Sequence, residues 1–459
     1  MRKWVVVLTL GIFFFMVIVD GTIVNIAIPE ISRDMGVPTF SVTRLVLIYL
    51  LVISTFLLFF GQLADQKGKV RIFQIGAFIF TVGSLISGYT VNFETIIIGR
   101  IVQALGASMT MATSYAIVTD TFPVEKLGRA LAVESLFISL GALAGPGLGG
   151  LVLKYLPWGY IFWMNIPIGV IALVLSFFAF KNDYKRTNAK LDFRGLSTLI
   201  LIGTTFYLFD SLLSSNRLLS LTTFVVMIIL IQYFYKSEKV SKVPLWNFDL
   251  FTTKGVGNNL IASFAFYIGS YFYPLLAPLY LQIVLRINVS TTGLFLMVMP
   301  IVTLLVSPYI GFLTDKYDKT LLMQIGLATI SATTVGLIVT NKAEKASLFF
   351  VIWSAVMAIG TAMFTNPNNT MIMARAKNEV RGVTGATNSM MRELGMMLGS
   401  FLGPEIFYKT ISILEHKSTQ NLTDIPNNFI ILGQTTAYFV TLLIFFIVLI
   451  FVRRDRKIS

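Results

Sequence analysis

Asp20, Arg100, Glu134, Arg392 and Glu393 are charged residues set inside long apolar runs, and their types and depths limit the chemistry open to the chain. An ionisable group far from either end of a membrane span is costly, and such groups commonly serve the movement of ions or substrates. Asp20 falls about nine residues, or ~13 Å, from one end of the first run, and Arg100 about eight residues, ~12 Å, from the same-side end of the fourth. Opposite charges at matching depth neutralise each other. The pair reads either as an ion-coupling site or as a structural ion pair that fixes packing. Proton exchange at Asp20 then requires the pair to separate. Arg392 and Glu393 are adjacent, about ten residues into the thirteenth run, and point about 100° apart on a helix. Glu393 suits proton carriage or attraction of a cationic substrate, or it forms a local neutral network with Arg392. Glu134, about one turn inside its run, reads as structural and able to snorkel to the surface. Asp210 and Glu405, near run ends, read as solvated.

Other chemistries fit poorly. Gly145, Gly147 and Gly150 satisfy G-x-G-x-x-G, but they lie inside an apolar helix, without the strand that a dinucleotide site needs before it. No G-x-x-x-x-G-K-[ST] run is present, which argues against ATP as the energy source, and no cofactor is implied. The chain has no cysteine, and its single histidine, His416, lies in a polar loop, so neither a thiolate site nor a histidine metal cluster is available. No nucleophile and base stand together as an enzyme would require.

The elements that must hold these residues are membrane helices. Hydrophobic residues make up 56% of the 459 and charged residues 13%, against about 25% charged in a soluble domain. Fourteen runs have the length of a span, near 4–28, 42–63, 72–91, 93–118, 130–153, 160–180, 193–213, 218–236, 256–284, 291–313, 321–340, 346–373, 384–408 and 429–452. The first is too long for a signal-peptide core and lacks a small-residue cleavage site, so it reads as a retained span. Most lysines and arginines fall in loops on the side of the termini, including Lys181, Lys185, Arg186, Lys190, Arg194 and the tail Arg453, Arg454, Arg456 and Lys457. By the positive-inside rule both termini are cytoplasmic. The net charge of +14 is thereby a matter of topology and implies no nucleic-acid partner.

The punctuation repeats. Gly61-x-Leu63-x-Asp65 returns as Gly311-x-Leu313-x-Asp315, Gly106 matches Gly360, and Gly128, Gly141, Gly145 and Gly149 match Gly382, Gly395, Gly399 and Gly403. In this alignment Ser354 stands opposite Arg100 and Ser400 opposite Pro146. Two parallel six-helix halves, 1–181 and 254–459, are separated by a two-helix insert at 182–253. Such paired bundles place the substrate between the halves near the midplane. Glycines four apart stack on one helix face, where a second backbone can approach closely, and Pro146 in the same run favours a bend.

These residues together resemble the major facilitator superfamily. Gly141-x-x-x-Gly145-Pro146-x-x-Gly149-Gly150 resembles the motif of its antiporters, and Gly61-Gln62-Leu63-Ala64-Asp65-Gln66-Lys67-Gly68-Lys69-Val70-Arg71 its loop between helices 2 and 3. Arg100-x-x-Gln103-x-x-Gly106 resembles its helix 4 motif. Asp20-x-Thr22-x-Val24-Asn25-x-Ala27-x-Pro29 and Phe162-x-x-Asn165-x-Pro167-x-Gly169 resemble helices 1 and 6 of the fourteen-helix drug:proton antiporters, bacterial multidrug and quaternary-ammonium exporters. Gln66 stands where that family has Arg, Trp158-Gly159-Tyr160 lacks an Arg, and Glu393 stands where Gln is usual. The resemblance implies an all-α exporter in the cell membrane, moving lipophilic, cationic compounds outward against protons, with sodium as the alternative ion. It assigns transport roles to Asp20 and Arg100, and conformational roles to the glycine motif and to Asp65, with Asp315 as its counterpart. Import of a nutrient, ion exchange, or an uncoupled sensor or lipid-handling role are the alternatives. The methionines Met371, Met373, Met390, Met391, Met396 and Met397, with the aromatics Phe264 to Tyr273, either line an adaptable cavity or pack helices.

Overall fold

The computed structural model describes residues 2–89, 92–122, 124–180, 190–213, 216–253, 255–376, 381–415, 422 and 425–456. Lys181, Lys185, Arg186, His416 and Lys457 lie outside the described residues, as does the predicted junction at 181–182. Fourteen helical segments follow one another: α1 (Arg2–Met35), α2 (Thr39–Lys67), α3 (Lys69–Gly88), α4 (Phe93–Thr121), α5 (Val124–Tyr155), α6 (Tyr160–Ala179) and α7 (Phe193–Leu212). They continue with α8 (Arg217–Val240), α9 (Gly257–Val284), α10 (Val289–Lys316), α11 (Lys319–Thr340), α12 (Ala346–Arg375), α13 (Arg381–Glu415) and α14 (Asn427–Arg456).

Among the described residues, 13 of these are long and apolar enough to cross a membrane. The exception is α13, whose 35 residues include Arg392, Glu393, Glu405 and a row of glycines that dilute its hydropathy. It is nevertheless packed against α2, α9 and α14. Helices α1–α6 form one bundle and α9–α14 a second, while α7 and α8 pack on each other and α7 also packs against α2.

Two helices are broken by the same device. Proline has no N–H for the carbonyl four residues back, and its ring crowds that carbonyl. Pro167 acts on Trp163, where the first piece of α6 ends, and Pro274 acts on Ser270, where the first piece of α9 ends. Pro146, by contrast, lies within a single continuous helical segment.

The glycine rows of α5 and α13 are places of close helix approach. A Cβ at Gly141 would lie 2.8 Å from Phe15 O, and one at Gly145 would run into Thr22 Oγ1, so this face of α5 is seated on α1. The repeat does the same in the second bundle: a Cβ at Gly395 would lie 2.5 Å from Phe264 O and one at Gly399 2.6 Å from Ile268 O, seating α13 on α9. An adjacent face of α5 meets the other bundle, with Gly147 on Met297, Gly150 on Val289 and Ser290, and Gly293 on the Pro146 carbonyl. Phe40 and Tyr408 meet at 5.3 Å across a second seam between α2 and α13, and Gln282 Nε2 donates to Ile26 O at 3.2 Å. These seams lie toward the end away from the termini. Nearer the termini, a Cβ at Gly61 or at Gly311 would meet no atom within 4 Å.

Candidate functional site

The polar centre of the first bundle is built on α1, α3, α4 and α6. Arg100 and Gln103 lie three residues apart on α4, and Ser84 and Ser87 three apart on α3, so each pair shares a helix face. Asn165 sits just after the break in α6. Arg100 Nη1 donates to Asp20 Oδ2 at 2.5 Å and to Gln103 Oε1 at 3.0 Å. Asp20 Oδ1 accepts from Gln103 Nε2 at 3.0 Å and from Asn165 Nδ2 at 2.7 Å. Gln103 Nε2 also donates to Ser84 Oγ at 2.7 Å, and Ser87 Oγ donates to Gln103 Oε1 at 3.3 Å. Asp20, Arg100, Gln103, Asn165, Ser84 and Ser87 are each 0% exposed. The guanidinium lies 4.0 Å from the centre of the Tyr49 ring and 5.7 Å from that of Phe162, a desolvated cation over aromatic faces.

This arrangement is neutral overall and nearly saturated. Asp20 Oδ2 holds one donor and Oδ1 two, three of the about four positions at which a carboxylate can accept. Arg100 Nε and Asn165 Oδ1, both buried, lack a hydrogen-bond partner. A movement of α1 against α4 therefore breaks two bonds, and one against α6 breaks the bond to Asn165. Because α5 is seated on α1 through its glycines, the helix that touches the second bundle also bears on the helix that carries Asp20.

The second charged pair faces the seam from α13. Arg392 Nη2 donates to Glu393 Oε1 at 3.1 Å, with the Arg392 side chain 40% exposed and that of Glu393 only 4%. Tyr267 interacts electrostatically with both. Tyr49 and Tyr271 interact with Arg100 and with Glu393 alike, so two tyrosines stand between the charged sites of the two bundles.

Two expectations are corrected. Glu134 does not snorkel: α5 begins at Val124, which places the carboxylate deep along the helix, buried and accepting from Ser114 of α4. Asp210 is not solvated. It is 3% exposed and pairs with Arg44 of α2 at 2.7 Å, because α7, which carries it, packs against α2. The remaining motif residues lie at the terminal end. Gly68, at φ 100°, makes the turn between α2 and α3, and Asp65 lies near the Lys69–Asp120 ion pair of 2.6 Å. Asp315 is exposed, and the neighbouring Asp318 caps α11. Of the methionines, Met371, Met390, Met391 and Met397 are buried in helix packing. Ser84, Ser87 and Tyr49 were not singled out in the sequence; the serine signal was a small polar pair at helical spacing in an apolar run, whereas a lone tyrosine gave none.

A model of the Major Facilitator Superfamily matches residues 10–400 and 259–457. The chain is 30% identical to riboflavin transporter RibZ of Clostridioides difficile, over 90% of each chain. It is 25% identical to multidrug export protein EmrB of Haemophilus influenzae, over 90% of this chain and 82% of that one. A bacterial homologue of the human lysosomal transporter Spinster, solved in an inward-facing and occupied conformation, shares the fold with a TM-score of 0.68 at 13% identity, covering 99% of this chain and 96% of that chain. With fourteen helical segments among the described residues, a repeated glycine scaffold and a buried ion pair inside one of two paired bundles, this chain is a membrane transporter that belongs to the Major Facilitator Superfamily.

Proposed function

We propose that the protein is a secondary active exporter of lipophilic, cationic compounds, driven by protons entering as substrate leaves. The observation that carries this reading is the junction of Asp20 and Gly145: the buried carboxylate lies on α1, and α5, which grips α1, also meets α10 of the other bundle. Opening the bundles at one end and closing them at the other shifts α5, strains the α1 packing and exposes Asp20 to a proton. Glu393, at the seam, attracts a cationic substrate or carries the ion, and Tyr49 and Tyr271 couple the two carboxylates. The cross-bundle contacts away from the termini fit a state that opens toward the terminal side, which the distribution of lysine and arginine makes the cytoplasm. The multidrug export relatives support export, and the placement is the cell membrane.

The riboflavin transporter relative favours a second reading, in which a flavin-like nutrient is moved through the same site. One experiment separates them. The purified chain is reconstituted in vesicles with an imposed proton gradient, and a lipophilic quaternary ammonium compound or riboflavin is added. Dissipation of the gradient by the ammonium compound alone supports drug:proton exchange. Dissipation by riboflavin alone supports the nutrient reading. Substrate movement that leaves the gradient untouched overturns proton coupling.

A further inference from the structure

The inserted helices end in a feature that exchange at Asp20 does not use. Asp192 caps α7, its Oδ1 accepting the Gly195 N–H at 2.8 Å. Glu238, in the last turn of α8, is 2% exposed, and its Oε2 accepts the Trp246 N–H at 3.0 Å. The remaining oxygens, Asp192 Oδ2 and Glu238 Oε1, are shut off from solvent with no hydrogen-bond partner. They converge on Gly195, where a Cβ would lie 2.8 Å from the first and 2.7 Å from the second. The two carboxyl groups are thus within hydrogen-bonding reach of each other.

Two ionised carboxylates held this close and buried repel strongly, and one shared proton supplies the missing donor. A calcium ion takes about 6–8 oxygen ligands, which two free oxygens beside backbone N–H groups do not provide. The surrounding charges are engaged elsewhere. Arg194 Nε donates to Tyr233 at 2.7 Å, Lys239 lies 4.7 Å from the Tyr235 ring and senses Asp249, and Asp65 of α2 senses Lys69 and Asp120. Among the described residues no lysine or arginine forms an ion pair with Asp192 or Glu238.

The same cluster holds the insert onto α2. The Asp192 N–H donates to Gln62 Oε1 at 3.3 Å, and Gln62 Nε2 donates to Pro244 O at 3.0 Å. We propose that Asp192 and Glu238 form a second proton-binding site, separate from Asp20, whose shared proton clamps the inserted pair onto the terminal end of α2. The clamp is closed when the pH on that face is low. As the pH rises the proton leaves, the like charges separate the groups, and the insert loosens from Gln62.

The full chain has no cysteine, so Lys67→Cys on α2 and Lys239→Cys on α8, both exposed, can carry a pair of spin labels. With the native carboxyls, the label distance should be narrow near pH 5 and broaden toward about pH 9, a range that brackets a shared carboxyl proton. Glu238→Gln should stay narrow throughout. Without labels, Glu238→Gln should melt with the native chain at acid pH and above it at alkaline pH. Asp192→Asn keeps a capping oxygen and should repeat the result. Equal broadening in both backgrounds, or a melting difference that ignores pH, overturns the proposal.

Discussion

The two bundles share one scaffold and fill the same place in opposite ways. In the first, Arg100, Gln103 and Asn165 close around Asp20 in a nearly saturated ionic network that Ser84 extends. In the second, the repeat places Ser354 opposite Arg100, Met357 opposite Gln103 and Thr334 opposite Ser84. The glycine seats add Gly269 opposite Asp20, since Gly145 bears on Thr22 as Gly399 bears on Tyr271. No ion pair forms there. Tyr273 and Ser354 share a 2.6 Å hydrogen bond beside a small cleft lined by Gly269, Tyr273, Thr334, Met357 and Tyr438 among others. The backbone packing is kept in both halves, while the second bundle carries its charged pair, Arg392–Glu393, elsewhere, at the seam. At this place, then, one half is ionic and the other is not.

The largest expected effect strikes the ionic half. Asp20→Asn keeps the shape but leaves Arg100 with an uncompensated buried charge, a loss of about 3–5 kcal/mol. Thermal melting should fall and gradient-driven transport should cease. Adding Arg100→Gln removes the stranded charge and should restore melting. If the double variant also transports uphill at the native rate, Asp20 is only a packing partner and Glu393 becomes the coupling residue.

Next come the glycine seats, where the tightness of each seat should set the cost. Gly145→Leu drives a branched side chain into Thr22, and overpacking of this kind costs about 1–3 kcal/mol. Transport should stall in a protein that still inserts. Gly403 has a looser seat, its nearest neighbour being Phe272 Cδ1 at 3.3 Å, so Gly403→Leu should be milder by both melting and transport. Equal tolerance at both sites would mean that the seats do not govern movement.

The fold was largely legible in the sequence because its constraints are periodic. Span length, glycines four apart and loop charge each repeat often enough to be read without coordinates. The site was legible only in part. Asp20 and Arg100 stand out because charge is rare in apolar runs, and Gln103 and Asn165 entered through their motifs. Ser84, Ser87 and Tyr49 are ordinary residues of membrane helices, and only the crossing of α3, α2 and α4 gives them a task. Asp210 was misread for a related reason. Depth along α7 predicts solvent, but the neighbour that covers it, α2 with Arg44, comes from tertiary packing alone.

A smaller difference is expected from filling space near the two centres. A Cβ at Gly83 would run into the Gln103 backbone, whereas one at Gly269 borders the cleft, with Phe445 Cε1 at 3.0 Å. Gly83→Ala should destabilise by about 1–3 kcal/mol. Gly269→Ala gains about 1 kcal/mol of helix propensity against that modest contact, so its melting point should hold or rise. A fall at Gly269 matching that at Gly83 would show the cleft to be as tightly filled as the ionic network.

The smallest effect should come from Tyr273→Phe. The ring stacks on Phe350 at 5.8 Å, and phenylalanine keeps that contact. Ser354 Oγ lies 2.7 Å from Phe350 O and can donate there, so losing the tyrosine hydroxyl leaves it with a partner. The net loss is then about 1 kcal/mol or less, that of one neutral hydrogen bond. Melting should drop slightly, and gradient-driven transport should keep its native rate and pH profile. Gln103→Leu, the comparable removal of one polar side chain from the ionic half, should instead strip one donor from Asp20 and alter that profile. If Tyr273→Phe abolishes gradient-driven transport as fully as Asp20→Asn does, the hydroxyl pair belongs to the ion route. The division of labour between the bundles would then fail, since both halves would be moving the proton.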